Sequence, residues 1–271
     1  MSYDLFFKPR SGQIDEQAFA RYFSGRACYQ LQGKQACYVN ENTGVYFVFE
    51  LHQESQPGLD AGVRYPVALL INYFRPFIFI LEAEPEVTVF VRHFDLLVSD
   101  PQMEGMGDGE YDRAGLVSGW TFGNEFACAS VLKEENNRRG IFHLPGEQLL
   151  QIWRWNFNRP MLQKQTGDAQ FVPQIMLMDM NGEAATVAIW PDGLPVVMPP
   201  VAYLCIVRAQ LAPRKFFRRQ KMRSLSAGKA CKRFCWRMAR RTRMVQSAST
   251  TARRQRIWSN IFNPCPRIRV P

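Results

Sequence analysis

Residues 28–51 read CYQLQGKQACYVNENTGVYFVFEL, three short runs rich in aromatic and β-branched residues, parted by GK and NTG. Connections this short join antiparallel strands, because a parallel neighbour needs a crossover of about a dozen residues or more. The stretch therefore commits the chain to an antiparallel meander of CYQLQ, QACYVNE and GVYFVFEL. The opening SYDLFFKP has the same strand-like content and runs into a turn signal at Pro9–Gly12. Between them, IDEQAFARYFSG sets Ile14, Ala18, Phe19, Tyr22 and Phe23 on one helical face. Acids at Asp15 and Glu16 suit the start of that helix, and Gly25 suits its end.

Further along, PVALLINYF predicts a strand buried on both faces. FIFIL predicts a short strand, Pro85 to Phe94 a helix, and LLVSD another strand. Residues 101–115 are expected to form a flexible acidic loop, followed by helices over 114–134 and 145–157. The segment from Gln170 to Leu211 predicts an antiparallel meander, with hairpin turns at NG (181–182) and PDG (191–193). Hairpins with interspersed helices, rather than regular βαβ units, point to an α+β fold with a mostly antiparallel sheet.

Charge divides the chain sharply. The last acid is Asp192: residues 1–192 hold 15 Lys+Arg and 24 Asp+Glu, a net of 15 − 24 = −9. Residues 193–271 hold 19 Lys+Arg and no acid, a net of +19. An acidic globular domain over 1–212 and a basic, disordered or poorly packed tail over 213–271 are expected. The tail has three readings. As a nucleic-acid arm it would neutralise phosphates through Arg218, Arg219, Lys232, Arg233, Arg240 and Arg241. As an amphipathic helix over CKRFCWRMARRTRMV it has a poor apolar face, interrupted by charge. As out-of-frame translation it explains the abundance of Arg, Ser, Ala, Cys and Trp, the lack of acid, and the missing hydrophobic period.

The start, MSYDLFFKPR, has no signal-peptide h-region, and the longest apolar run is broken by Arg75 and Pro76. Seven scattered cysteines without a CxxC fit free thiols, so a cytoplasmic protein with no membrane span is expected. His52, His93 and His143 match no zinc pattern. GLVSG misses the nucleophile-elbow spacing, leaving Ser118 as helix surface, and the acids of EGMGDGEYD would repel a phosphate. No metal and no cofactor is expected.

Two places could bear function. NYFRP sets Asn72 and Arg75 at a strand end, where binding groups often sit, or where Arg75 simply pairs with Glu82 or Glu84. WRWNFNRP puts Trp153 and Phe157 on one helical face as core, leaving Arg154 and Trp155 to face outward as a contact surface.

The segments SYDLFF, NTGVYF, NYFRP, LEA, LLVSDPQ and VAIWPDG resemble those of an uncharacterised family of standalone bacterial proteins that begin Met-Ser-Tyr-Asp-Leu. The resemblance covers roughly residues 1–210 and ends where the basic tail begins. It carries a fold and no catalytic residue; by analogy of class, small acidic α+β bacterial proteins often act as immunity proteins. The expectation is a non-enzymatic domain that binds a basic protein partner. The alternatives are nucleic-acid binding through the tail, and an enzyme with a nonstandard site around Asn72, Arg75 and Asp95.

Overall fold

In Ser2–Pro9 (β1) side chains alternate: Tyr3, Leu5 and Phe7 are fully buried, while Asp4, Phe6 and Lys8 on the other face are half-buried. That period of two is what a strand with one core-facing side requires. A computed structural model describes residues 1–52, 65–102, 104–133, 142, 144–180, 182–191 and 194–206. It shows two compact units, divided after Phe157.

In the first unit β1 lies inside a seven-stranded antiparallel sheet. The others are Tyr29–Gln32 (β2), Gln35–Asn40 (β3), Val45–Leu51 (β4), Val67–Asn72 (β5), Leu96–Asp100 (β6) and Gly107–Gly109 (β7), in the order β2-β3-β4-β5-β1-β6-β7. The 28–51 meander forms as expected, with Tyr29 opposite Tyr38 and Tyr38 opposite Phe47. β5 is central and pairs with β4 and β1, so its Val67, Ala68, Leu69 and Ile71 are buried. The acidic loop is more ordered than expected: Gly107–Gly109 is an edge strand against β6.

Four helices accompany the strands among the described residues. Glu16–Phe23 (α1) starts where expected; Asp15 caps it, accepting from the Ala18 amide at 2.7 Å. Ile78–Phe94 (α2) replaces the expected short strand and shorter helix. Its apolar residues lie nearly all round it, from Ile78, Phe79 and Ile80 to Phe90 and Val91, so no helical stripe shows in the sequence. Burial outweighs Pro85, which sits inside the helix and gives up one backbone donor. Arg113–Leu132 (α3) is capped by Asp112, and Gly146–Thr166 (α4) runs through Pro160 well past the expected end.

The core between sheet and helices is dominated by aromatic rings. Phe90 of α2 meets Phe49 at 4.8 Å, Phe7 at 5.3 Å and Phe23 at 5.7 Å between centroids. Each such pair adds about 0.5–1.5 kcal/mol beyond the area it buries.

In the second unit Ile175–Asp179 (β8) and Ala184–Trp190 (β9) form the expected hairpin around Gly182. Tyr203–Ile206 (β10) pairs with β9 in parallel, which corrects the expected second hairpin. A parallel return needs a crossover, and the one here carries Pro191, Pro195, Pro199 and Pro200, none of which can donate to a ladder. Asp192, Gly193, Asn181 and His143 lie outside the described residues, as does the whole tail with Arg218, Arg219, Lys232, Arg233, Arg240 and Arg241. No helix among the described residues is long and apolar enough to cross a membrane. Cys28, Cys37 and Cys128 are free thiols.

Candidate functional site

Chain direction reverses at the end of β5, and Asn72 makes that turn: its Oδ1 accepts the Phe74 amide at 2.8 Å. Asn124 of α3 holds the same turn from outside, donating its side-chain amide to the carbonyls of Tyr73 and Arg75, the latter at 2.8 Å. Arg75 is half-buried on this rim and donates through Nε to the Tyr46 hydroxyl at 2.8 Å, and through Nη1 to the Phe74 carbonyl at 3.1 Å. The expected pairing with Glu82 or Glu84 is therefore not made. Tyr46 itself is 37% exposed and stands across from Val39, 40% exposed, on the neighbouring strand. Asn72 and Arg75 thus share one rim, and Tyr46 completes it.

Asp95 is not part of that rim. Register places Asn72 opposite Ser2 and Leu96 opposite Pro9, so the two ends of β1, seven steps apart, separate them by about 24 Å. Asp95 instead ends α2 in the left-handed conformation (φ 49°) and accepts from Arg10 Nε at 3.1 Å. Arg154 is exposed as expected, but Trp155 is only 3% exposed, which corrects its place on the contact surface. A helix has about 3.6 residues per turn, so Ile152, Trp155 and Asn156 share the buried side, and Phe157, 45% exposed, falls outside it. Trp153 is half-buried and does join the core.

Glu82, Glu84 and Asp100 face inward. Glu82, from LEA, is 4% exposed and accepts from Tyr38 Oη at 2.8 Å, Asn40 Nδ2 at 2.9 Å and Trp153 Nε1 at 2.7 Å. Burial, and then the Glu82 charge, push the Tyr38 phenol well above its ordinary value. Asp100, from LLVSDPQ, is likewise 4% exposed. It accepts the Tyr3 hydroxyl, the Gln102 amide at 3.1 Å and the Met106 amide at 3.0 Å. Burial pushes the Tyr3 phenol far upward, and the hydrogen bond to Asp100 adds to this.

Glu84 accepts from both arms of Arg113, at 2.6 and 2.7 Å, and from Thr88 at 2.5 Å. Burial pushes its carboxyl up, but these donors win and hold it below the usual carboxylate value. Each of these acids is consumed by the fold. What faces solvent is a different set: Glu104, Asp108, Glu110 and Asp112 around edge strand β7, with Glu110 bonded to Arg10. Ser118 lies on the exposed side of α3 and bonds only the Gly115 carbonyl in its own helix, at 3.2 Å.

Sequence reasoning identified Asn72 and Arg75 but missed Tyr46 and Asn124. Their partnership spans 29 and 49 positions respectively, and nothing in the local pattern around either announces it. No family model matches the sequence, and neither a curated protein nor a solved structure matches the chain.

Proposed function

We propose that this chain is a non-catalytic, cytoplasmic domain that binds a basic protein partner, in the manner of an immunity protein. One observation carries the reading: the buried acids Glu82, Glu84 and Asp100 are bound by internal donors, while Glu104, Asp108 and Asp112 stand exposed along one edge. Acids committed to packing are poor candidates for proton transfer; acids on an open edge set up a field that speeds encounter with a cationic surface. The rim supplies Tyr46 and Arg75, two of the residue types that dominate binding energy at protein interfaces.

Affinity capture with the full chain tests this, with captured proteins identified and their binding measured across salt. A cationic partner lost on Asp108→Lys with Glu104→Lys supports the proposal. Capture that survives both charge reversals, or that yields only nucleic acid with a steep salt slope, overturns it. The second outcome would move function to the Arg-rich segment 213–271, whose 18 Lys+Arg carry no acid among them.

A further inference from the structure

One side of α3 meets water with the wrong residues. Ala114, Ser118, Phe122, Glu125, Phe126 and Ala129 are all exposed, and at about 100° per residue they share a third of the helix circumference. A helix side that faces solvent is ordinarily polar or charged. Here Glu125 is the one charge between Ala114 and Ala129, while Phe122 is 48% exposed and Phe126 64%.

The stripe is also symmetric. Ser118, Phe122, Phe126 and Ser130 follow at four-residue steps, the spacing of a surface ridge on a helix. Small, large, large, small reads the same in both directions, which is what a two-fold axis asks of a surface that must meet itself. The small ends are already satisfied: Ser118 Oγ donates to the Gly115 carbonyl at 3.2 Å, and Ser130 Oγ to the Phe126 carbonyl at 2.8 Å. Hydroxyls bonded into their own helix can be covered without stranding a donor. The charges beyond the ridge are opposite, with Asp112 exposed at the N-terminus of α3 and Lys133 exposed at its C-terminus. Arg113, next to Asp112, is held by Glu84.

We infer that α3 is the interface of a two-fold homodimer, packed antiparallel on the α3 of a second copy. With the axis at the level of Asn124, Phe122 lies against the partner's Phe126 and Ser118 against the partner's Ser130. Lys133 then comes within about one turn of the partner's Asp112, so unlike charges meet at both ends of the pair. Antiparallel packing also opposes the two helix dipoles. Glu125 falls beside the ridge, and the axis carries its two copies to opposite flanks. A second copy fits this stripe better than the cationic partner proposed above, because one acid among rings and neutral small residues offers a basic surface little charge to meet.

Sedimentation equilibrium of the full, nuclease-treated chain tests this. A dimer is expected at about 100 µM protein. Phe126→Glu, at an exposed position, should weaken it at least about a hundredfold, since a carboxylate is set against a ring twice in each dimer. Phe122→Ser removes a ring without adding charge and should weaken it about tenfold or more. Lys133→Glu puts an acid near the partner's Asp112 and should weaken it about fivefold at low salt, an effect that added salt erases. Val89→Glu, at an exposed apolar position on α2, should leave the dimer intact. A monomer at about 100 µM overturns the inference, and loss of the basic partner in Phe126→Glu would then give the stripe to that partner. A dimer that survives Phe126→Glu and Phe122→Ser, or that is lost in Val89→Glu, belongs to another face. One indifferent to Lys133→Glu at low salt overturns the antiparallel register.

Discussion

Two corners of the same domain treat buried polar atoms in opposite ways. Around Glu82 and Asp100 the acceptors are surrounded, each carboxylate taking three donors: Glu82 from distant parts of the chain, Asp100 from Tyr3 and from two amides of its own loop. Beside them in the same domain, Tyr22 Oη and Arg26 Nε are bare, although Arg26 Nη2 is bonded to Glu86. The first arrangement fixes a fold, because an unmet carboxylate in the interior is costly and a fully met one admits few alternative packings. The second contributes ring packing and the Arg26–Glu86 bond, but these two atoms add no hydrogen bond to the folded state. Substitutions that remove one polar group at a time should therefore separate the corners.

Glu82→Ala should have the largest effect. It strands Tyr38 Oη, Asn40 Nδ2 and Trp153 Nε1, each at about 1–3 kcal/mol, offset in part because a carboxylate no longer has to be desolvated. A loss of about 3 kcal/mol in urea unfolding is expected, with Glu82→Gln recovering part of it through its remaining carbonyl. A loss below about 1 kcal/mol would mean that the surrounded corner is not what holds α2 over β3.

Tyr3→Phe comes next. Asp100 keeps the Gln102 and Met106 amides but loses the phenolic donor, so about 1–2 kcal/mol should go. The 101–106 loop should open in step, read as faster hydrogen exchange at Met106, whose amide bonds Asp100 Oδ2. Unchanged exchange at Met106 would break the link between the buried acid and the loop.

The same contrast marks what was legible in the sequence. Strands β1 to β5 were readable because local alternation and short turns dictate them: Tyr3, Leu5 and Phe7 point inward whatever lies across the sheet. α2 was half-hidden, since a helix buried nearly all round loses its stripe and its Ile, Phe and Val residues then read as a strand. β10 was assigned the wrong direction because a turn motif at PDG was read as closing a hairpin, when the proline-rich crossover was the stronger sign. Of the candidate site, Asn72 and Arg75 were visible as residues at a strand end. Their partners were not, because Tyr46 and Asn124 reach them only through the register of β4 on β5 and the passage of α3. Trp155 failed for a related reason: spacing tells which residues share a face of α4, not which face the fold covers.

The smallest effect is the sharpest test of the comparison. Tyr22→Phe is the same atomic change as Tyr3→Phe, one oxygen removed from one ring. Yet it deletes a hydroxyl with no partner, so no hydrogen bond is lost and a desolvation cost disappears. Stability should change by no more than about 0.5 kcal/mol, and the direction should be upward. Below about pH 10 the difference should be flat, because the folded phenol, raised to about 12, and the unfolded one both stay protonated. Above that pH the native chain should lose stability relative to Tyr22→Phe, since its unfolded phenol ionises first and its folded phenol resists. A loss near that of Tyr3→Phe at neutral pH would show that Tyr22 Oη has a partner in the folded chain, and the two corners would then be one kind of structure.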